Sequence, residues 1–128
     1  MSLHQLPLTI LDGTYVICRF EASSPIPDWV PTTGFVSVTR TPDELSIVCL
    51  QDVVPEEVER SSPWRCLQVS GTLDFSMVGV LESLTAPLAR ANVSVFAIST
   101  FDTDYLLVQE QQLRTAIEAL QSHGHVIT

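Results

Sequence analysis

A repeated hairpin pattern constrains the fold of this chain more than any other feature. The segment VSVTRTPDELSIV at residues 36–48 aligns without a gap to FAISTFDTDYLLV at residues 96–108, which places Glu44 over Asp104. In each segment, two apolar, β-branched runs flank a short polar turn, which is typical of a β-hairpin. The repeat therefore predicts two copies of one structural unit.

The strands that precede the two hairpins also match. YVICRF aligns to WRCLQV with Cys18 over Cys66, and these two lie closer together in the chain than the two hairpins do. The segment EASSPIPDWVP, which follows the first of these strands, contains three prolines, which allow at most one helical turn. We therefore predict a first unit at residues 1–61 with reduced helices, and a complete second unit at residues 62–128.

The second half has the pattern of a complete unit. WRCLQVSG, VSVFAIST, DYLLV and HVI are strand-like, and EQQLRTAIEALQSHG has the apolar spacing of an amphipathic helix. The preceding helix is predicted from apolar residues at Met77, Val78, Leu81, Leu84 and Leu88. Its N-cap would be Asp74 or Thr72, and Pro87 would kink it or begin its last turn.

The resulting order, β-α-β-β-α-β, is that of the ferredoxin-like superfold. The predicted fold class is α+β, with tandem ferredoxin-like βαββαβ units, antiparallel sheets and helices packed on one face, the first unit being abbreviated. Since a unit of about 60 residues makes a marginal core alone, we expect the two to pack into one body.

Composition excludes several classes of protein. The chain has 6 basic and 15 acidic residues, a formal net charge of −9, which argues against nucleic acid and anionic membranes as partners. It lacks an apolar run of transmembrane length and a signal-peptide pattern, so a cytoplasmic protein is expected. Cys18, Cys49 and Cys66 lie in strand-like runs without metal-ligand spacing, and they are expected to be buried thiols.

Two polar segments could form a binding site. In SGTLDF, Gly71 permits close backbone approach, and a following helix would offer free N–H groups to a carboxylate. In STFDTD, Asp102 and Asp104, together with Asp74, offer acceptors to an amine or guanidinium. These are the groups that an amino acid needs, but the same residues could equally be a tight turn, a helix cap and solvated turn formers.

Nothing in the sequence resembles a catalytic motif. It contains no nucleophile elbow, P-loop or H-E-x-x-H set, and the paired carboxylates have no histidine or lysine near them in sequence. An enzyme, a metal site and a cofactor are therefore not expected.

The combination WRCLQVSGTLDFSMVGVLESLTAPLARANVSVFAISTFDTDYLLV strongly resembles the ACT domain. More narrowly, the chain is similar to small tandem-ACT proteins related to aspartate kinase regulatory domains and to the cytosolic arginine sensor of the CASTOR family. The resemblance implies a βαββαβ unit and a non-catalytic regulatory role. The effector would be a small molecule, usually an amino acid, bound at the interface between ACT units. An alternative is a ligand-free interaction module that forms a homodimer or regulates a partner enzyme in trans.

The resemblance also implies ligand-contacting positions. In this sequence they are Gly71, Asp74, Thr100, Phe101, Asp104, Ser46 and Ile47. In the arginine sensor, the acid at the position of Asp74 is a glutamate, so the resemblance implies an acidic site without fixing the ligand. The implied partner is an amino acid, possibly a cationic one.

Overall fold

The chain forms two compact units in a computed structural model, which describes residues 5–71 and 78–128. The first, here called the split unit, combines the described residues of Met1–Asp12 with those of Arg65–Thr128, and the second, the inserted unit, is Gly13–Trp64. The division into repeats at residues 1–61 and 62–128 stays a prediction. It differs from the compact units because the N-terminal residues join the C-terminal ones.

The strands and helices alternate as the sequence predicts. In chain order they are β1 (Pro7–Ile10), β2 (Tyr15–Phe20), β3 (Ser37–Arg40), β4 (Leu45–Leu50), β5 (Trp64–Val69), α1 (Val80–Arg90), β6 (Val95–Ser99), β7 (Asp104–Gln109), α2 (Leu113–Ser122) and β8 (Val126–Ile127). Short 3-10 helices lie at Gln51–Val53 and Glu110–Gln112. From β5 onward the order is β-α-β-β-α-β, so the predicted fold class is confirmed.

Strand β1 was not predicted from the sequence. It pairs antiparallel with β5, where Leu8 lies opposite Val69, and parallel with β8, where Pro7 lies opposite Val126. The strand order in the split unit is therefore β6-β7-β5-β1-β8. The N-terminal strand thus occupies the place between the first and last strands of the βαββαβ unit.

The helices of the split unit pack on one face of its sheet. Buried residues of β5, β7, α1 and α2 form one cluster, whose members include Leu67, Val69, Leu84, Leu88, Leu106, Val108, Ala116 and Leu120. Leu8 of β1 joins the same cluster. The predicted packing of helices on one face is confirmed.

The start of α1 differs from the sequence-based prediction. Its N-cap is Gly79, at φ 79°, rather than Asp74 or Thr72. Val78 precedes the helix and is 83% exposed, so its assignment to the buried stripe was wrong. Asp74, Thr72 and Met77 lie outside the described residues. The helix instead buries Val80, Leu84, Pro87 and Leu88.

Pro87 begins the last turn of α1, as predicted. The amide of Ala91 donates to the Pro87 carbonyl at 3.1 Å, so the helix completes one turn beyond the proline. A proline is tolerated there because its missing N–H removes only one hydrogen bond near the end of the helix.

The inserted unit is an abbreviated version of the same design. Its strand order is β3-β4-β2, and the other edge of β2 pairs with residues 59–61 through a bridge between Cys18 and Arg60. No α-helix occurs in residues 13–64, all of which are described. Loop residues supply apolar side chains instead, and Trp29, Val30 and Val58 pack against the buried cluster.

The register that relates the two hairpins differs by one position from the sequence-based alignment. Arg40 pairs with Leu45, whereas Ser99 pairs with Asp104. The residue equivalent to Asp104 is therefore Leu45, so its alignment with Glu44 was wrong. Such a shift moves every side chain of a strand to the other face, so the two alignments assign opposite faces to these residues.

The burial predicted for the three cysteines is confirmed, since all are free and buried. Cys18 and Cys49 share the core of the inserted unit. Cys66 alternates with Leu67 and therefore lies on the opposite face of β5 from the helices. Burial raises the pKa of the Cys66 thiol to about 12, so this thiol stays protonated at neutral pH.

We expect truncation in the helix core to be strongly destabilising. Leu84 is fully buried, and Leu84→Ala should lower the free energy of unfolding by about 2–5 kcal/mol, because it removes apolar contact and leaves a cavity. Leu81→Ala on the same helix is the matched control, because Leu81 is only partly buried. Urea unfolding of both variants measures the difference, and equal losses would contradict the assigned helix face.

Candidate functional site

The tip of the β6–β7 hairpin is held by its own polar groups. The Thr100 amide donates to the Thr103 carbonyl at 2.9 Å, and the Thr103 amide donates to Thr100 Oγ1 at 3.3 Å. Thr100 Oγ1 also donates to the Thr103 carbonyl at 3.1 Å. Threonine and serine hydroxyls commonly fix turns in this way. The side chains of residues 100–104 are therefore presented from a defined turn.

A second hydrogen bond fastens the hairpin tip to the end of β5. Thr103 Oγ1 donates to the Val69 carbonyl at 2.8 Å, and Thr103 is only 4% exposed. On the other side of β5, the Ser70 amide donates to the Pro7 carbonyl at 2.8 Å. The role of Thr103 was not predicted from the sequence, because its hydrogen-bond partner is distant in the chain. The only signal in the sequence is that Thr103 lies in a polar turn.

Gly71 follows directly after this fixed segment. Its φ is +83°, and a Cβ built on it would have no atom of the described residues within 4 Å. The positive φ favours glycine. Gly71, Thr100, Phe101 and Asp104 lie near the same end of the split unit, and we call this group the hairpin wall.

Asp104 occupies the first position of β7 and is partly buried. Because side chains alternate along a strand, it shares the face of Leu106 and Val108, which is the helix face. Asp102 and Phe101 are exposed at the tip. The wall therefore combines a partly buried carboxylate with an exposed aromatic ring, and Asp102 adds an exposed carboxylate in the same hairpin.

Tyr105 lies on the opposite face of β7 from Asp104, near Asp102 and Cys66. Burial raises the pKa of the Tyr105 phenol, and the nearby acidic groups of Cys66 and Asp102 raise it further. The phenol therefore stays neutral and can donate a hydrogen bond at neutral pH.

No side chain among the described residues caps the N-terminus of α1. In a βαβ unit, the helix begins at the end of the sheet where the preceding strand finishes. The first amides of α1 therefore lie toward the same end as Gly71. Free N–H groups and the helix dipole both favour a carboxylate there.

The remaining predicted residues are not part of this wall. Asp74 lies outside the described residues. Ser46 and Ile47 belong to β4 of the inserted unit, where Ser46 is partly buried and Ile47 is fully buried in the core. The structure thus brings together Gly71, Thr100, Phe101 and Asp104, and a ligand-contacting role for all of the predicted residues stays a prediction.

The described residues offer little support for other kinds of site. Among residues 5–71 and 78–128, no group of three or more histidine, cysteine, aspartate or glutamate side chains is placed to hold a metal ion. The helices within this part of the chain are too short or too polar to cross a membrane.

Comparison with protein families decides the classification. The profile of the ACT domain matches residues 59–122, which is half of the chain. The chain belongs to the ACT domain family. A second family profile, that of an N-terminal domain, matches residues 13–57. The ACT match covers most of the split unit, while the second match lies inside the inserted unit.

Curated relatives agree with the predicted resemblance to CASTOR proteins. The human protein CASTOR3P is 34% identical over 106 residues, which cover 73% of this chain and 65% of that protein. Human "Cytosolic arginine sensor for mTORC1 subunit 1" is 39% identical over 59 residues, covering 45% of this chain and 18% of that protein. The chain thus spans about two thirds of the first relative and less than one fifth of the second.

Solved structures extend the likeness over the whole chain. The crystal structure of protein Atu0741 from Agobacterium tumefaciens has a TM-score of 0.91 and 42% identity, covering 97% of this chain and 92% of that one. Aspartate kinase from Clostridium acetobutylicum has a TM-score of 0.64 and 12% identity, covering 89% of this chain and 34% of that one. The second likeness shows a shared fold alone.

We expect the Thr103 hydroxyl to be needed for the shape of the hairpin wall. Thr103→Val keeps the side-chain shape but leaves the Val69 carbonyl without this donor, so the free energy of unfolding should fall by about 1–3 kcal/mol. Thr103→Ser retains the hydroxyl and should lose much less. Thermal and urea unfolding measure both, and equal losses would show that the hydrogen bond is unimportant.

Proposed function

We propose that this protein is a non-catalytic regulatory ACT protein that binds an amino acid at the hairpin wall. The observation that carries the proposal is the 2.8 Å hydrogen bond from Thr103 Oγ1 to the Val69 carbonyl. It ties the acidic hairpin to the end of β5, two residues before Gly71, and this supports a site that combines carboxylates with backbone amides. Membership of the ACT family and a relative named as an arginine sensor support the same role.

The chemistry of the wall matches the two ends of an amino acid. The ligand carboxylate would accept hydrogen bonds from backbone amides near Gly71 and from the first turn of α1. The ligand's ammonium or guanidinium group would lie against Asp104, with Asp102 nearby. Charge-assisted hydrogen bonds of this kind are the stronger ones in proteins. Because the wall carries the Asp104 carboxylate and Asp102 adds a second one in the same hairpin, we propose a cationic amino acid, with arginine as the first compound to test.

The facing side of the site stays a prediction. The ACT resemblance implies a ligand between two ACT units, with Ser46 and Ile47 contributing from the first repeat. Because Ile47 is buried among apolar side chains, we give the larger part of the binding energy to the hairpin wall.

A second candidate function is a ligand-free interaction module. Among the described residues, β6 pairs only with β7, so one edge of β6 offers backbone groups for sheet extension by a second copy or a partner enzyme. Light scattering with and without amino acids separates the two functions. A constant dimer that shows no response to any amino acid would favour the interaction module.

We expect binding to be visible as stabilisation. A thermal-shift and calorimetry screen of the twenty amino acids should show a raised Tm for arginine or another cationic amino acid. At about one hundred times Kd, a ligand adds roughly 2.7 kcal/mol to the stability of the folded state. No shift with any amino acid would overturn the proposal.

Asp104→Asn should weaken binding about 10- to 100-fold, because a hydrogen bond to a charged group contributes about 1.5–3 kcal/mol. The matched control is Glu118→Gln, which also removes one negative charge from the split unit but lies exposed on α2. Calorimetric titration with arginine measures both variants. Equal affinities would show that Asp104 is not part of the site.

Gly71→Ala tests the backbone approach independently of charge. Gly34 is its matched control, since both have φ near +80° and a Cβ on either would meet no described atom within 4 Å. Each substitution should cost about 1 kcal/mol of stability through backbone strain. Only Gly71→Ala should also weaken arginine binding, because its methyl group enters the space beside the wall. Unchanged binding by Gly71→Ala would remove Gly71 from the site.

A further inference from the structure

A cavity of about 230 Å³ lies between α1 and the end of α2, and no residue of the hairpin wall lines it. The residues that α1 contributes to its lining are Glu82, Ser83, Ala86, Pro87 and Arg90. Residues three and four apart share one face of a helix, so these side chains form a single stripe. Most ligand pockets have volumes of roughly 300–1,000 Å³, so this cavity has the size for a small molecule.

The buried side of the cavity is formed by His125, which is 4% exposed. Its Nδ1 accepts from the Leu6 amide at 3.0 Å, so Nε2 carries the proton and donates to the Ser83 carbonyl at 2.9 Å. In an uninterrupted helix that carbonyl would accept from the amide of residue 87, but Pro87 has no N–H. His125 therefore supplies the donor that Pro87 lacks, and this hydrogen bond fixes one side of the cavity.

A second histidine holds the guanidinium of Arg90 in place. Nδ1 of His123 is 3.1 Å from the Ala119 carbonyl oxygen, which can only accept, so Nδ1 carries the proton. Nε2 is then the acceptor, and Arg90 Nη2 donates to it at 2.9 Å. This hydrogen bond uses one of the five N–H donors of the guanidinium. The others are positioned to bind an anion at a reduced cost in side-chain entropy.

A negative charge lines the same cavity. Glu82 precedes Arg90 on α1 by about two helical turns. These two described side chains are not within ion-pair distance of each other, although both line the cavity. Between them, the stripe carries the methyl group of Ala86 and the ring of Pro87. The cavity therefore has a positive group and a negative group separated by a small apolar surface.

We propose that this cavity is a second ligand site, which binds a small zwitterion whose carboxylate and ammonium groups lie close together, as in glycine. The ligand carboxylate accepts hydrogen bonds from the Arg90 guanidinium, a pairing that is frequently bidentate. The ligand ammonium donates to the Glu82 carboxylate. Both side chains are exposed, and a single exposed ion pair contributes little, so binding requires both ends of the ligand. The site is separate from the hairpin wall, and the inference does not rest on the proposed function.

The first experiment compares three probes with the full chain at pH 7.5. Glycine offers both charged groups, whereas acetate and methylammonium offer one each. NMR titration follows the backbone amides of Ala86, Arg90 and His123. Glycine should shift them saturably, and each of the other probes should bind about tenfold more weakly or less. The absence of a saturable shift with glycine would overturn the inference, and so would equal binding of acetate, which would indicate a site for anions alone.

A pair of alanine variants tests the space itself. Ala86→Leu places a larger side chain in the cavity and should abolish glycine binding. Ala89→Leu is the matched control, because it makes the same substitution on the same helix at an exposed position that does not line the cavity. It should bind as the wild type does, and equal affinities of the two variants would overturn the inference. Urea unfolding establishes that both variants fold.

Charge variants test the two ends of the ligand without changing the core. Arg90→Gln and Glu82→Gln should each weaken glycine binding about tenfold, because each removes one charge-assisted contact. Arg114→Gln and Glu118→Gln are the matched controls, since both residues are exposed on α2 and neither lines the cavity. Unchanged affinity in either cavity variant would overturn the inference.

The hairpin-wall variant Asp104→Asn separates this site from the proposed amino-acid site. It should leave the response of the cavity amides to glycine unchanged, and a lost response would assign glycine to the wall and overturn the inference. If arginine binds at the wall but glycine shifts no amide of the cavity, the inference fails while the proposed function stands. If glycine binds in the cavity while Asp104→Asn has no effect on any amino acid, the inference stands and the hairpin wall is not a site.

Discussion

Pairing of β1 along both of its edges is the constraint on which the split unit depends. The Thr128 amide donates to the Leu8 carbonyl and the Ile10 amide donates to the Thr128 carbonyl, each at 2.9 Å, while β5 pairs along the opposite edge. Without β1, two neighbouring strands would each leave backbone groups unpaired next to a buried core. Leu8 also fills that core with a fully buried side chain. The same short strand therefore closes both the sheet and the core.

The order of elements could be predicted because it depends on local patterns. Apolar periodicity identified both helices and the strands around them, and the prolines of residues 21–31 indicated that the first helix is reduced to at most one turn. The hairpin register could not be predicted, since both β4 and β7 contain a run of consecutive buried residues, at 47–49 and 106–108. In a strand buried on both faces, apolar and polar residues do not alternate, so the sequence does not show which side chains share a face. Two alignments of the hairpins that differ by a single position therefore fit almost equally well.

The residues that escaped prediction share one property. Their structural roles depend on partners that are distant in the chain, which is true of strand β1, Thr103 and His125. For example, His125 near the C-terminus contacts Leu6 near the N-terminus. A short strand that begins with proline carries no periodic signal of its own. Gly71 could be found because a strand-to-helix turn requires a glycine locally. The start of α1 was placed too early, since Val78 continues an apolar spacing although it lies outside the helix.

The insertion also determines when each unit can form during protein synthesis. The inserted unit has all of its strands once Trp64 has been made, so it can fold while the rest of the chain is still being translated. Strand β1 has to wait for β5, which begins only at Trp64, and for β8 at Val126–Ile127. Contacts between residues so far apart form slowly, because a long loop must close first. Strand β1 is therefore among the last strands to reach its native place, although it is made before the others.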